Sequence, residues 1–144
     1  MTFRSFRDPD SSLEMTQDRA LRYVRDEAAE FIRSLLAKPE IQREIAEGRL
    51  VSAEPVQADE PGLVLQHEKI TPVTFPHEWP PSLLRESGRL TLHMARLALH
   101  MGLGLKDATP YNVQFRGSQP VFVDWTSFER RPADDPVWRP LAQF

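Results

Sequence analysis

Cysteine is absent from this chain of 144 residues. That absence removes disulfides, thiolate metal sites and cysteine nucleophiles together, and it agrees with a cytoplasmic setting. Glycine is scarce and none of it is early: the six glycines are Gly48, Gly62, Gly88, Gly102, Gly104 and Gly117. No glycine-flanked nucleophile elbow exists to hold a Ser/His/Asp triad, so a hydrolase is excluded. Excess positive charge is also lacking. A net charge of -3 and a pI near 5.8 give no basic surface for a phosphate backbone, so no nucleic-acid partner is expected. The opening "MTFRSFRDPDSS" is charged and polar, and no run approaches the length of a membrane span, so the expected protein is cytoplasmic and has no membrane partner.

What is abundant is proline, thirteen in all, which makes the connections stiff and marks them clearly. No internal repeat is present. "DRALRYV" reads either as the continuation of a helix from Thr16 or as a short strand in which Leu21 and Tyr23 alternate with arginines; a strand paired with a preceding one is the expectation. From Asp26 the spacing of Ala28, Phe31, Ile32, Leu35 and Leu36 predicts an amphipathic helix. A short helix begins at Pro39, with Ile41 and Ile45 one turn apart and Gly48 as its stop. "RLVSAEPVQ" and "GLVLQHEKI" read as a hairpin around Asp59, Glu60, Pro61 and Gly62. "TPVTFPHEWPP" holds four prolines in eleven residues and is expected to be extended, a hinge-like crossing with Phe75 and Trp79 as anchors.

The longest predicted helix covers about Ser82 to Met101. Leu90, Met94, Leu97 and Met101 fall on one side, Leu92, Ala95 and Leu99 on the other, and Arg89, His93, Arg96 and His100 form a polar stripe. Apolar residues on both sides predict a helix buried on both. "YNVQF" and "PVFVDW" then form a hairpin turned by "RGSQ", which returns Asp124 to the neighbourhood of Asn112, the sole asparagine. Val113 and Phe115 are expected on one face, with Val121 and Val123 on one face of the partner strand.

Asp107 lies five residues before Asn112, and Asp124 ends the following hairpin. This arrangement resembles the C-terminal lobe of protein-kinase-like phosphotransferases of the aminoglycoside and choline kinase branch. The fold class implied is α+β, protein-kinase-like and truncated. Residues 1–78 would supply N-lobe-like strands and two helices; 79–144 would supply a partial C-lobe-like helix, catalytic-type loop and hairpin. The resemblance makes Asp107 the candidate base for an attacking hydroxyl, with Asn112 and Asp124 as ligands of magnesium bridging the phosphates of ATP. Arg22 and Lys106 are the candidate cofactor-binding cations, with Glu27 or Glu30 as the helix partner of Arg22.

Departures from the pattern are specific. Leu105 stands where the family has histidine, Asp124-Trp125-Thr126 replaces Asp-Phe-Gly, no early glycine-rich loop exists, and no lysine occurs in the first 37 residues. The stretches "GLVLQHEKI", "HEWPPSLL", "GLGLKDATPYNVQFRGSQPVFVDWTSFE" and "AQF" also resemble the N-terminal region of bacterial nodulation-associated proteins. There a kinase-like module precedes an S-adenosylmethionine-dependent methyltransferase domain. This implies a longer parent, with S-adenosylmethionine bound only in a C-terminal domain beyond this chain. The function expected is a non-catalytic or conditionally active kinase-like module that binds a small-molecule ligand or serves the attached methyltransferase. The alternative is an active ATP- and magnesium-dependent small-molecule phosphotransferase.

Each residue also has a plainer role open to it. Asp107 and Asn112 can simply close a turn, and Asp124 can be held by hydrogen bonds to the loop. Trp125 and Phe128 are expected as core packing beneath the loop. The histidines His67, His77, His93 and His100 lack metal-binding spacing.

Overall fold

The computed structural model describes residues 2–3, 10–57, 62–132 and 143. The chain divides into two compact units, Met1–Lys69 and Ile70–Phe144.

The first unit is a five-stranded antiparallel sheet in the order β1-β2-β3-β5-β4, with two helices inserted between β3 and β4. Its strands are β1 (Thr2–Phe3), β2 (Ser11–Met15), β3 (Ala20–Val24), β4 (Ala53–Val56) and β5 (Leu63–His67). Strand β3 alternates, but its buried side is Ala20, Arg22 and Val24, while Leu21 and Tyr23 are half-buried. The Tyr23 hydroxyl donates to Glu14 on β2 at 2.9 Å, a cross-strand bond that fixes the neighbouring register.

Helix α1 (Asp26–Leu36) starts with two acids and carries Arg33 in its last turn, which suits the helix dipole at both ends. Ala29, Ile32 and Leu35 form its buried face, whereas Ala28, Phe31 and Leu36 from the expected stripe are half-buried. Helix α2 (Pro39–Ala46) opens on proline and ends before Gly48, whose φ of 71° lies in the left-handed region. Ile41 and Glu44 are its buried residues. Arg49 forks onto Glu44 at 2.5 and 3.1 Å, which neutralises this buried carboxylate and raises the affinity of the guanidinium for its proton.

Strands β4 and β5 form the expected hairpin, with Ala53 opposite His67 and Pro55 opposite Leu65. Most of its expected turn, Asp59 to Pro61, lies outside the described residues. Gly62 comes next at φ 108°, where a Cβ would sit 2.4 Å from the Val24 carbonyl oxygen. Only glycine fits that approach.

The second unit begins with the proline-rich segment. Residues 70–78 lie in this unit, Ile70–Phe144. The Thr74 N–H donates to Gln114 Oε1 and Gln114 Nε2 donates to the Thr74 carbonyl, both at 3.1 Å. Trp79 is an anchor: its Nε1–H donates to Thr74 Oγ1 at 2.9 Å and its ring meets Phe115 edge-on at 4.9 Å. Phe75 is not an anchor, being 46 % exposed and stacked on His77. A turn of 3-10 helix over Pro76–Glu78 interrupts the expected extended chain.

Helix α3 (Pro81–His100) supports the strands that come after it in the chain, but it is buried along one face only. Ser87, Leu90, Thr91, Met94, Ala95 and Ala98 make that face, while Leu92 and Leu99 are 53 % and 51 % exposed. The small residues Ala95 and Ala98, with Ser87 and Thr91 bonded back to the helix carbonyls at 2.8 and 3.0 Å, complete a face that leucine spacing alone does not reveal.

Strand β6 (Leu103–Leu105) pairs with β9 (Phe128–Arg130), and β7 (Val113–Arg116) pairs with β8 (Gln119–Phe122). The β7–β8 turn carries Gly117 at φ 64°. Val113 pairs with Phe122 and Val121 with Gln114, so Val113, Phe115 and Phe122 share one buried face while the buried Val121 lies on the other. Trp125 and Phe128 are buried as expected.

Candidate functional site

The loop from Lys106 to Asn112 is tied down residue by residue. The Lys106 N–H donates to the Ser127 carbonyl at 2.8 Å, which holds the loop beside the segment leading into β9. The Lys106 side chain is half-exposed. Asp107 Oδ1 accepts the Thr109 N–H at 3.2 Å, closing an aspartate turn. The Asn112 N–H donates to the Thr109 carbonyl at 3.0 Å, forming a 3-10 turn over Pro110–Asn112.

Side chains then close the loop. Asn112 Nδ2 donates to the Asp107 carbonyl at 3.1 Å, and the Ser127 hydroxyl donates to the same oxygen. Asn112 is only 8 % exposed, and this bond satisfies and orients its amide nitrogen. The Val123 N–H donates to the Asn112 carbonyl at 2.8 Å, extending the β7–β8 pairing by one step. Asp124 therefore stands one residue beyond the ladder partner of Asn112. Its Oδ1 accepts both the Thr126 N–H at 3.2 Å and the Thr126 hydroxyl at 2.9 Å.

The structure thus joins Asp107 to Asn112 directly and brings Asp124 alongside through the backbone ladder. Ser127, Thr126 and Gln143 were missed by sequence reasoning. Gln143 Oε1 accepts the Ala108 N–H at 2.7 Å. For Thr126 and Ser127 a signal existed: hydroxyl residues directly after an aspartate favour local turns bonded to the backbone. Nothing local in the sequence points to Gln143.

Arg22 belongs to the first unit, where it is buried at the centre of β3. Its Nη1 donates to Ser11 Oγ at 2.9 Å and its Nε to His67 Nε2 at 3.3 Å. Glu27 and Glu30, the helix acids expected to face it, are exposed on α1. The buried acid of the two helices is Glu44, on α2. Because a guanidinium can only donate, His67 Nε2 must accept. Its proton therefore sits on Nδ1 and is donated to the Ser52 carbonyl at 2.8 Å. Burial, reinforced by the Arg22 charge, lowers the His67 pKa to about 4.

A hard divalent cation takes oxygen ligands from carboxylates and amide carbonyls. Asp124 and Asn112 offer that chemistry, and because the amide nitrogen of Asn112 is committed to Asp107, its oxygen is the end left for a cation. The donor set fits magnesium. Among the described residues there is no group of three or more His, Cys, Asp or Glu that could hold a metal ion. No described helix is long and apolar enough to cross a membrane.

No family model matches the chain. It is 35 % identical over 150 residues to the nodulation protein NoeA of Rhizobium meliloti (strain 1021), an alignment covering 97 % of this chain and 30 % of that protein. The chain therefore spans about 30 % of the length of the curated relative it matches. Among solved structures it matches the Cydia pomonella granulovirus kinase PK-1 with a TM-score of 0.53 at 7 % identity, over 90 % of this chain and 54 % of that one. The chain has a protein-kinase-like fold.

Proposed function

We propose that this chain is a kinase-like module that binds a nucleotide with magnesium and does not by itself turn it over. The observation that carries this reading is the closed loop: Asn112 oriented by its bond to Asp107, with Asp124 held alongside by Thr126. Asn112 and Asp124 would hold the ion, which when bound neutralises phosphate charge. Lys106, half-exposed in the same loop, supplies further positive charge. Asp107 would orient a hydroxyl group; one of its carboxylate oxygens accepts the Thr109 N–H.

Weak turnover is supported by the first unit. The cation of β3 is an arginine engaged with Ser11 and His67, and the sequence has no early glycine-rich loop to fold over phosphates. In the longer protein the module serves an attached methyltransferase, where S-adenosylmethionine would bind. A second reading, an active small-molecule phosphotransferase with Asp107 as base, is favoured by the retained spacing of Asp107, Asn112 and Asp124.

Thermal unfolding with and without ATP and magnesium tests the binding claim, because a ligand of the folded state raises Tm by mass action. The expected result is a magnesium-dependent rise in the parent chain that disappears in Asn112→Ala and Asp124→Ala. No rise at saturating nucleotide sinks the reading. Phosphate release from ATP separates the two alternatives: sustained turnover abolished by Asp107→Asn selects the phosphotransferase.

A further inference from the structure

Helix α3 presents a second, unassigned surface. Along its outer side Leu92 and Leu99 recur one heptad apart, the spacing of residues that share a seam between helices packed side by side. Leu92 and Leu99 stand out from the helix, each about half exposed. The flank next to this seam is cationic. Arg89 and Arg96 occupy equivalent positions one heptad apart, and both are exposed. Arg89 meets Glu86 at 3.6 Å, a solvated pair too weak to cancel the charge of the flank. This basic ridge lies on a chain whose net charge is -3.

We propose that this face of α3 docks an acidic amphipathic helix of a partner protein, seated on Leu92 and Leu99 with its carboxylates against Arg89 and Arg96. The proposal is independent of nucleotide binding. Charge complementarity selects the occupant. An antiparallel second copy would set Arg89 and Arg96 against their own counterparts. A parallel copy would bring up the side of α3 that carries Thr91 and Ala98, which are buried in this chain and supply no opposite charge. Two exposed leucines at seam spacing require an apolar stripe on the occupant, and the flanking arginines require acids beside it.

Fluorescence anisotropy with the full chain tests this, using labelled synthetic three-heptad peptides with leucine in the seam and either glutamate or lysine on the flanks. The glutamate peptide is expected to bind roughly tenfold or more tightly than the lysine peptide at low salt, with the difference shrinking as salt rises. Leu92→Glu with Leu99→Glu should abolish binding while leaving Tm unchanged, since both positions are exposed. Arg89→Glu with Arg96→Glu should reverse the preference towards the lysine peptide, a result that unfolding cannot mimic. Equal binding of the two peptides, or of neither, overturns the proposal. So does sedimentation showing a dimer that Leu92→Glu dissociates, or tighter binding to phosphatidylserine vesicles than to the glutamate peptide.

Discussion

In the first unit the polar centre is made of side chains bonded to one another: Arg22 to Ser11 and to His67, beneath a sheet. In the second it is made mostly of side chains bonded to backbone: Asp107 to Thr109, Asn112 and Ser127 to Asp107, Asp124 to Thr126, together with the Thr126 hydroxyl bonded to the Asp124 carboxylate. The first arrangement depends on protonation, because a histidine acceptor disappears when the ring charges. The second depends on loop shape, because nearly all of its bonds have a backbone carbonyl or amide at one end. The kinase-like fold is common ground, and the difference lies in what holds the polar groups in place.

Substitutions separate the two centres. The largest effect is expected at Trp125, which is fully buried. Trp125→Ala should cost about 3–5 kcal/mol in urea unfolding. A cost below about 1 kcal/mol would mean that the second unit does not rest on this ring.

The next effect is pH-dependent and belongs to the first unit. The folded-state pKa of His67 is lowered to about 4, below the ordinary value of about 6.5. Its contribution is therefore fully present above about pH 6.5 and is lost as pH falls from there through about 4, to a total on the order of 3 kcal/mol. His67→Gln should flatten this part of the stability curve, whereas Asn112→Ala should leave its slope unchanged. Equal slopes in wild type and His67→Gln would remove the distinction between the two centres.

Asn112→Ala comes third. It removes a donor to the part-buried Asp107 carbonyl and should cost about 1–3 kcal/mol in chemical denaturation. Ser127→Ala removes the other donor to that oxygen and should cost about 1 kcal/mol. If the two losses simply add in the double variant, the shared carbonyl does not couple them. The smallest effect is expected at the β7–β8 turn. Gly117 has φ 64° and open space around it, so Gly117→Ala should cost only about 1 kcal/mol from backbone conformation, measured by the shift in Tm.

Much of this was legible in the sequence. Local periodicity located β3, α1, α2, the two hairpins and α3, because alternation and helical spacing act over a few residues. The approach of Asp124 to Asn112 was also legible, since a short hairpin leaves little choice of register. Burial on α3 was harder to read. Leucines on two sides suggested burial on two sides, yet Ser87, Thr91, Ala95 and Ala98 line the packed face, where small groups fit against the neighbouring strands. The pairing of β6 with β9 and the bond from Gln143 to Ala108 join residues far apart in sequence, and no local pattern encodes them. Arg22 was recognised for its charge, but its engagement with Ser11 and His67 requires three strands to be in register.

Strand β4 is the outermost strand of its sheet, and it carries Pro55 in its middle. An edge strand is ordinarily a template on which a further strand can grow, since its outward N–H and C=O groups invite pairing. Proline has no N–H to offer and cannot join a continuous ladder from that position. The sheet is thus blunted against lateral growth, and a chain with this edge resists the strand-by-strand stacking through which partly unfolded sheets form aggregates.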